Sequence, residues 1–309
     1  LLVYNHLDVE AADPPQSADE AKWTIPNPFE PEVREDKIIG RGTTDDKGPF
    51  LATLMANALL YKEGRLPVNI VHVAETQEEI SSTLFRILFA DGINAGYIPS
   101  PSSIFLSDNV FEGEYPSITK GTRGLIHATL TLKLHYDKIH SGLGGGLVPN
   151  PLGILSAAVN QCYDPRTGEV LIPGFNDGAQ LPQGKELEEL KAYARQFNLP
   201  QYLQDMKAGK AFTDDPLEAL LRVWYKGTFE LHNTSGVLGT KIPGVAEMNV
   251  TMRLGYGMSG GKIIKNFTSM LQQYHPAIRV HADYTPAFRA DVSHPHFAKA
   301  AEACRKGFG

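Results

Sequence analysis

The stretch Leu1-Leu2-Val3-Tyr4-Asn5-His6-Leu7-Asp8 reads as a buried strand that ends in a polar loop. Four apolar or aromatic residues in a row, bounded by polar ones, suit a strand covered on both faces. An imidazole and a carboxylate follow it directly. The same grammar recurs downstream. Val68 to Ala74 is rich in Val and Ile and leads to Glu78 and Glu79. Ile104-Phe105-Leu106 ends at Ser107-Asp108-Asn109. Between these strands the spacing predicts helices near Gly48 to Tyr61, with Pro49 in the first turn, and near Ser81 to Ala90. Strands alternating with helices give an α/β fold, with a mixed, mostly parallel sheet and helices on both faces.

Residues 11 to 37 are rich in Pro, Asp and Glu and are expected to form a long surface loop, pinned by Trp23 and Pro26-Asn27-Pro28-Phe29. Gly40-Arg41-Gly42-Thr43-Thr44 reads as a flexible turn. Near Tyr115 the character changes. Leu125 to His135 alternates apolar and polar residues, as in a sheet with one covered face. A Gly-rich turn, Gly142 to Gly146, precedes a helix near Pro151 to Gln161. Helices are expected within 184 to 225, at Leu187 to Arg195 and Pro216 to Tyr225. Strands at Thr228 to Asn233 and Glu247 to Leu254, a helix at Gly261 to Tyr274 and a strand at Ala277 to Tyr284 make a second, α+β block. One more helix, His294 to Phe308, closes the chain.

Composition narrows the function classes. At 309 residues the chain exceeds one ordinary domain, so two are expected. With 42% hydrophobic and 21% charged residues it can bury a sizeable core. A net charge of −6 points away from nucleic acid and anionic membranes as partners. No apolar run approaches the roughly 18 residues of a membrane span. Cys162 and Cys304 are far apart and form no thiolate metal motif, which fits a reducing, cytoplasmic setting.

The acids then stand out by place. His6 and Asp8, Asp45 and Asp46, Glu78 and Glu79, and Asp108 all fall beyond predicted strands or before predicted helices. In open α/β sheets the ligand site lies past the carboxyl ends of the strands, so these loops are expected to converge. Carboxylates crowded in one cleft repel one another unless a cation compensates them. Nitrogen and oxygen donors without sulfur suit a catalytic zinc, or manganese or cobalt. The number of acids suggests two ions, roughly 3.5–4 Å apart, sharing one carboxylate and a water. Taken singly, each element has an ordinary explanation: His-x-Asp as a surface turn, Asp-Asp and Glu-Glu as helix-start acids.

Tyr4-Asn5-His6-Leu7-Asp8-Val9, then Gly40-Arg41-Gly42-Thr43-Thr44-Asp45-Asp46-Lys47-Gly48-Pro49, Glu78-Glu79 and Ser107-Asp108 resemble the carnosinase-like zinc peptidases, the family of glutamate carboxypeptidase, acetylornithine deacetylase, succinyl-diaminopimelate desuccinylase and aminoacylase. His140-Ser141-Gly142 with Gly144-Gly145-Gly146 resembles a further motif of that family. The resemblance spans nearly the whole chain and is loosest near 165 to 225. It implies that His6 and Asp108 bind one metal, Asp45 bridges both, and Glu79 binds the second. Glu78 would be the general base, and Asp8 would orient His6 through its other ring nitrogen. His140 would support the oxyanion across a dimer interface, and Arg253, with Thr240 nearby, would grip the substrate carboxylate. The family pattern also implies a catalytic domain over residues 1 to 116 and 286 to 309, and a lid and dimerisation domain over 117 to 285. Against that pattern, strands before His6 and a late His ligand after the last helix are expected to be missing from this sequence; His294 and His296 read as surface residues.

The implied activity is hydrolysis of a peptide or amide bond in a dipeptide or N-acyl amino acid, by a homodimer with two metal ions. A non-catalytic dimeric binding protein on the same scaffold is the rival, but it predicts loss of Glu78, which is present. A structural calcium or magnesium site is disfavoured by His6, because hard cations prefer oxygen shells.

Overall fold

A computed structural model describes residues 1–12, 23–108, 116–235 and 239–308. Part of the expected loop (13–22), Asn109 and Tyr115 lie outside the described residues. The chain divides into two compact units, Leu1–Ile118 with Ser293–Gly309, and Thr119–Val292. The return to the first unit comes at Ser293, later than the expected 286.

In chain order the first unit holds strand β1 (Leu2–His6), a hairpin of β2 (Glu32–Arg34) and β3 (Lys37–Ile39), helix α1 (Lys47–Lys62), β4 (Val71–Glu75), a 3-10 turn at Glu78–Ile80, α2 (Thr83–Asn94) and β5 (Ile104–Leu106). β1 lies in the middle of a parallel sheet ordered β4-β1-β5, with Leu2 opposite Val71 and Ile104. Two buried apolar residues, Leu2 and Val3, hold it in place. The Phe50 ring of α1 meets His72 edge-on, while Phe85 of α2 packs on Tyr4. Val73 is the register partner of Tyr4, so His72, its neighbour in β4, points to the opposite face. Helices therefore cover both faces. This is the expected α/β architecture.

Two details differ from expectation. β1 runs on through Asn5 and His6, which read as loop residues. Its pairing continues because Asn5 stands opposite Ala74 and His6 opposite Glu75. The far end of the expected surface loop folds into the β2–β3 hairpin, turning through Glu35 at φ 52°.

The second unit begins with β6 (Gly121–Thr122) and β7 (Gly124–Lys133), then β8 (Ile139–His140), α3 (Ser141–Gly144), α4 (Pro151–Val159), β9 (Tyr163–Asp164) and β10 (Glu169–Val170). Helices α5 (Gly184–Ala194), α6 (Leu199–Asp205) and α7 (Pro216–Trp224) follow. Then come β11 (Thr228–Ser235), β12 (Lys241–Ile242), β13 (Val245–Leu254), α8 (Gly260–Tyr274), β14 (Arg279–Thr285) and β15 (Phe288–Arg289). α9 (Pro295–Phe308) belongs to the first unit. β15 pairs with β6, which keeps that stretch in the second unit.

The main sheet is antiparallel, ordered β11-β13-β7-β14. β13 alternates strictly inward and outward: Ala246, Met248, Val250, Met252 and Leu254 are buried, as period 2 requires. Leu155 and Val159 of α4 and Ile263, Phe267 and Leu271 of α8 join them in one core. The helices α5 and α7 pack a smaller cluster around Leu190, Ala194 and Leu220. Among the described residues, no helix is long and apolar enough to cross a membrane.

Candidate metal centre

β1 carries His6 fully buried at its carboxyl end. The Nε2 atom of His6 lies 2.9 Å from Asp45 Oδ1 and 3.9 Å from Asp108 Oδ2. One donor atom each from His6, Asp45 and Glu79 lies within 4.8 Å of the others. The strand, the loop before α1 and the turn after β4 thus bring three donors to one place, with Asp108 beside His6. Asp45 keeps its side chain 60% exposed, open to a ligand.

The ring of His6 is held from behind. Its Nδ1 is 3.1 Å from the Asp8 carbonyl oxygen and 3.4 Å from Asp8 Oδ1. A proton on Nδ1 donates to the Asp8 carbonyl oxygen and leaves the Nε2 lone pair for the centre. The other carboxylate oxygen of Asp8 accepts from the Glu79 backbone N–H at 3.0 Å. Asp8 therefore ties the histidine to the acidic turn. The Glu10 N–H donates to Glu79 Oε1, also at 3.0 Å.

Sequence reasoning took Asp46 as one more acid before a helix. It stands at the N-cap of α1, yet its side chain makes no capping hydrogen bond. Asp46 is instead fully buried, and Oδ2 accepts from Asn5 Nδ2 at 2.8 Å and from the His6 backbone N–H at 3.1 Å. It anchors the His6 backbone. The signal for it was only the doubled acid. The glycines around it serve close approach. A Cβ on Gly48 would stand 2.1 Å from the Thr43 carbonyl oxygen, and Gly42 sits at φ 82° with its carbonyl accepting from Lys47 N–H at 3.1 Å.

The charge balance is strained. Burial raises the Glu78 pKa, and Asp108, Glu79 and Asp45 raise it further against the opposing pull of His6. Burial and then Asp45 raise Glu79. Burial and then Asp46 raise Asp108. Burial would lower His6, but Asp108, Glu78, Asp45 and Asp46 outweigh it and leave it above the ordinary imidazole value. Among the described residues, no Lys or Arg forms an ion pair with these acids; their only ion-pair partner is His6. A divalent cation is the compensation that such a donor set fits.

The remaining candidates lie in the second unit. His140 caps α3: its Nδ1 accepts from the Gly142 N–H at 3.0 Å. In the neutral ring the proton then sits on Nε2, on an exposed side chain free to donate. The Thr240 carbonyl accepts from Ser141 N–H at 2.8 Å, beside the β8–β12 pair. Arg253 is exposed on β13, opposite Leu125 and Thr228. The sequence reading missed Arg123, half-buried between β6 and β7. Burial, and next the charge of Arg253, lower its pKa. No motif marked it.

Comparison with known proteins gives a consistent result. The model of peptidase family M20/M25/M40 matches residues 2–309. Beta-Ala-His dipeptidase of Homo sapiens is 30% identical over 276 residues, covering 87% of this chain and 52% of the relative. A Cys-Gly metallodipeptidase of Schizosaccharomyces pombe is 28% identical over 240 residues, covering 76% of this chain and 48% of the relative. The chain thus spans about half the length of the curated relatives it matches. The crystal structure of human carnosine dipeptidase 1 superposes with a TM-score of 0.79 at 26% identity, over 99% of this chain and 66% of that one. An M20 family metallo-carboxypeptidase from Sulfolobus solfataricus shares the fold, with a TM-score of 0.87 at 24% identity, over 100% of this chain and 69% of that one.

Proposed function

The chain belongs to peptidase family M20/M25/M40, and from that premise we propose that the protein is a metal-dependent hydrolase of a peptide or amide bond, acting on dipeptides or N-acyl amino acids. The observation that carries this reading is the convergence of His6, Asp45 and Glu79 from three separate segments, with Asp108 beside them. Relatives named as dipeptidases favour a dipeptide.

His6, Asp45, Glu79 and Asp108 would hold the divalent ions of the proposed centre, with Asp45 serving both. Zinc suits the donors best, with manganese or cobalt as alternatives. Bound ions lower the pKa of water toward neutrality and polarise the scissile carbonyl. Glu78, beside Glu79 in the same turn, has its pKa raised by burial, as a general base needs. It takes a proton from the attacking water. The water oxygen bonds to the carbonyl carbon, the C–N bond breaks, and Glu78 returns the proton to the leaving nitrogen. His140 Nε2–H is proposed to donate to the developing oxyanion, and Arg253 and Thr240 to bind the substrate carboxylate. The second unit is proposed to act as lid and dimerisation domain, with His140 serving the partner's site in a homodimer.

The test is metal content per chain together with dipeptide hydrolysis after zinc, manganese or cobalt addition. Two equivalents, with turnover abolished by a chelator, are expected. A well-folded full-length protein that takes up no metal and cleaves nothing would sink the reading and favour a binding protein.

A further inference from the structure

Two consecutive non-glycine residues, Ser81 at φ 78° and Ser82 at φ 50°, adopt left-handed backbone just after the turn that bears Glu78 and Glu79. Such a conformation is strained for a residue with a side chain and persists only where its surroundings hold it. Here the holding contacts are visible. The Ser82 N–H donates to the Gln77 carbonyl at 2.7 Å, and the Ser81 N–H to that of Glu78 at 2.9 Å. The Ser82 hydroxyl donates to Glu75 Oε1 at 2.8 Å. The same oxygen accepts from the Tyr4 hydroxyl at 2.5 Å.

Glu75 is the last residue of β4 and only 5% exposed. It is the register partner of His6, and its carbonyl accepts from the Leu7 N–H at 2.8 Å. Among the described residues it has no Lys or Arg partner, and its Oε2 is buried without a hydrogen bond. An acid placed so expensively does not serve packing. Its two contacts run to the strand bearing His6 and to the turn bearing Glu78 and Glu79.

We propose that Glu75 is a positioning residue: through Ser82 it sets the turn that presents Glu78 and Glu79, and through Tyr4 it sets the strand that presents His6. It acts as a hydrogen-bond acceptor at Oε1 and touches no substrate. The proposal rests on the reading of His6 and Glu79 as metal ligands, and the test separates the two.

Cobalt(II) is titrated into the metal-free protein in competition with a chelator, and its visible absorption spectrum is recorded. Glu75→Ala and Ser82→Ala are expected to weaken cobalt binding about 10–100-fold, the usual effect of losing an outer partner of a ligand, and to alter the spectrum. Glu75→Gln is expected to stay within about threefold of wild type, because an amide oxygen offers both lone pairs that the two donors need. Alanine variants that are folded by circular dichroism yet match wild type in affinity and spectrum overturn the proposal. So does Glu75→Gln failing as badly as alanine, which would assign the effect to charge. If Glu75→Ala does not fold, Ser82→Ala decides alone, since it leaves the acid and its Tyr4 contact in place. A wild type that binds no cobalt overturns the ligand reading itself, a different failure from equal binding by all variants.

Discussion

Asp46 offers a sharp test, because its position and its contacts suggest different roles. By position it is the N-cap of α1, and a lost cap costs about 1 kcal/mol. By contact it serves β1, accepting from Asn5 Nδ2 and the His6 N–H inside the protein. Asp46→Ala leaves both donors buried without a partner. At about 1–3 kcal/mol for each orphaned group, the loss is on the order of 2–6 kcal/mol. Removing Asp46 also relieves the burial that raises its own pKa, so the lower half of that range is expected. Asp46→Ser decides between the roles. Serine is a good cap but too short to reach β1, so it should destabilise nearly as much as alanine, while Asp46→Asn, which keeps an acceptor oxygen in place, should lose less. Urea unfolding of the metal-free protein measures all three. A serine variant as stable as wild type would refute the argument and return Asp46 to the role of helix cap.

Three further outcomes are expected. Glu78→Gln should lower kcat by at least about 100-fold with metal content unchanged, whereas Glu79→Gln should lose metal; metal loss in the first and retention in the second would show the roles exchanged. Arg253→Ala should raise KM for a free-carboxylate dipeptide about 10-fold or more, and leave an amidated analogue little changed; equal effects on both would remove the carboxylate contact. The metal-free protein should lose stability through its centre as pH rises above about 4, the ordinary carboxylate value. His6, Glu78, Glu79 and Asp108 all have raised folded pKa values, so the folded state binds protons more tightly, and the stability present at low pH is lost as pH climbs through those values. Exposed acids such as Glu188 and Glu189, lowered by hydrogen bonds and charges of Lys, work the other way. The centre's share is therefore the difference in thermal midpoint between wild type and Glu79→Gln; a difference that grows in favour of wild type with pH would contradict it.

Much of the fold was legible because burial follows simple periods. The alternation of Leu125 to His135 and the Val- and Ile-rich run Val68 to Ala74 placed β7 and β4 within a few residues. What was not legible shares one cause: polar residues whose partners are remote in sequence. Asn5 and His6 look like loop residues until Asp46, forty positions away, supplies an acceptor for the buried backbone. Glu75 looks like the polar edge of a strand until Tyr4 and Ser82 converge on it. The β2–β3 hairpin was hidden because Glu35, in place of glycine or asparagine, takes the left-handed turn position. At the site, residue types and order pointed to His6, Asp45 and Glu79, whose side chains the structure brings within reach of one another. They could not show that Asp8 bonds His6 and the Glu79 backbone at once, since that depends on where the turn after β4 lies.

The same remoteness explains how the centre can hold so many acids. Ordinary proteins neutralise clustered carboxylates with Lys or Arg; here, among the described residues, the acids of the centre have only His6 as an ion-pair partner. Backbone and side-chain N–H groups do the holding: Asn5 and His6 on Asp46, Glu79 on Asp8, Glu10 on Glu79. These donors fix the positions of the oxygens but carry no full charge, so burial, and after it the neighbouring carboxylates, raise the pKa values of Glu78, Glu79 and Asp108. A geometry fixed by neutral donors and a charge left uncompensated are together what a cation site requires. Protons and a divalent ion are then competing solutions to one electrostatic problem. Cationic side chains in place of those N–H donors would stabilise the apo fold and spoil the site.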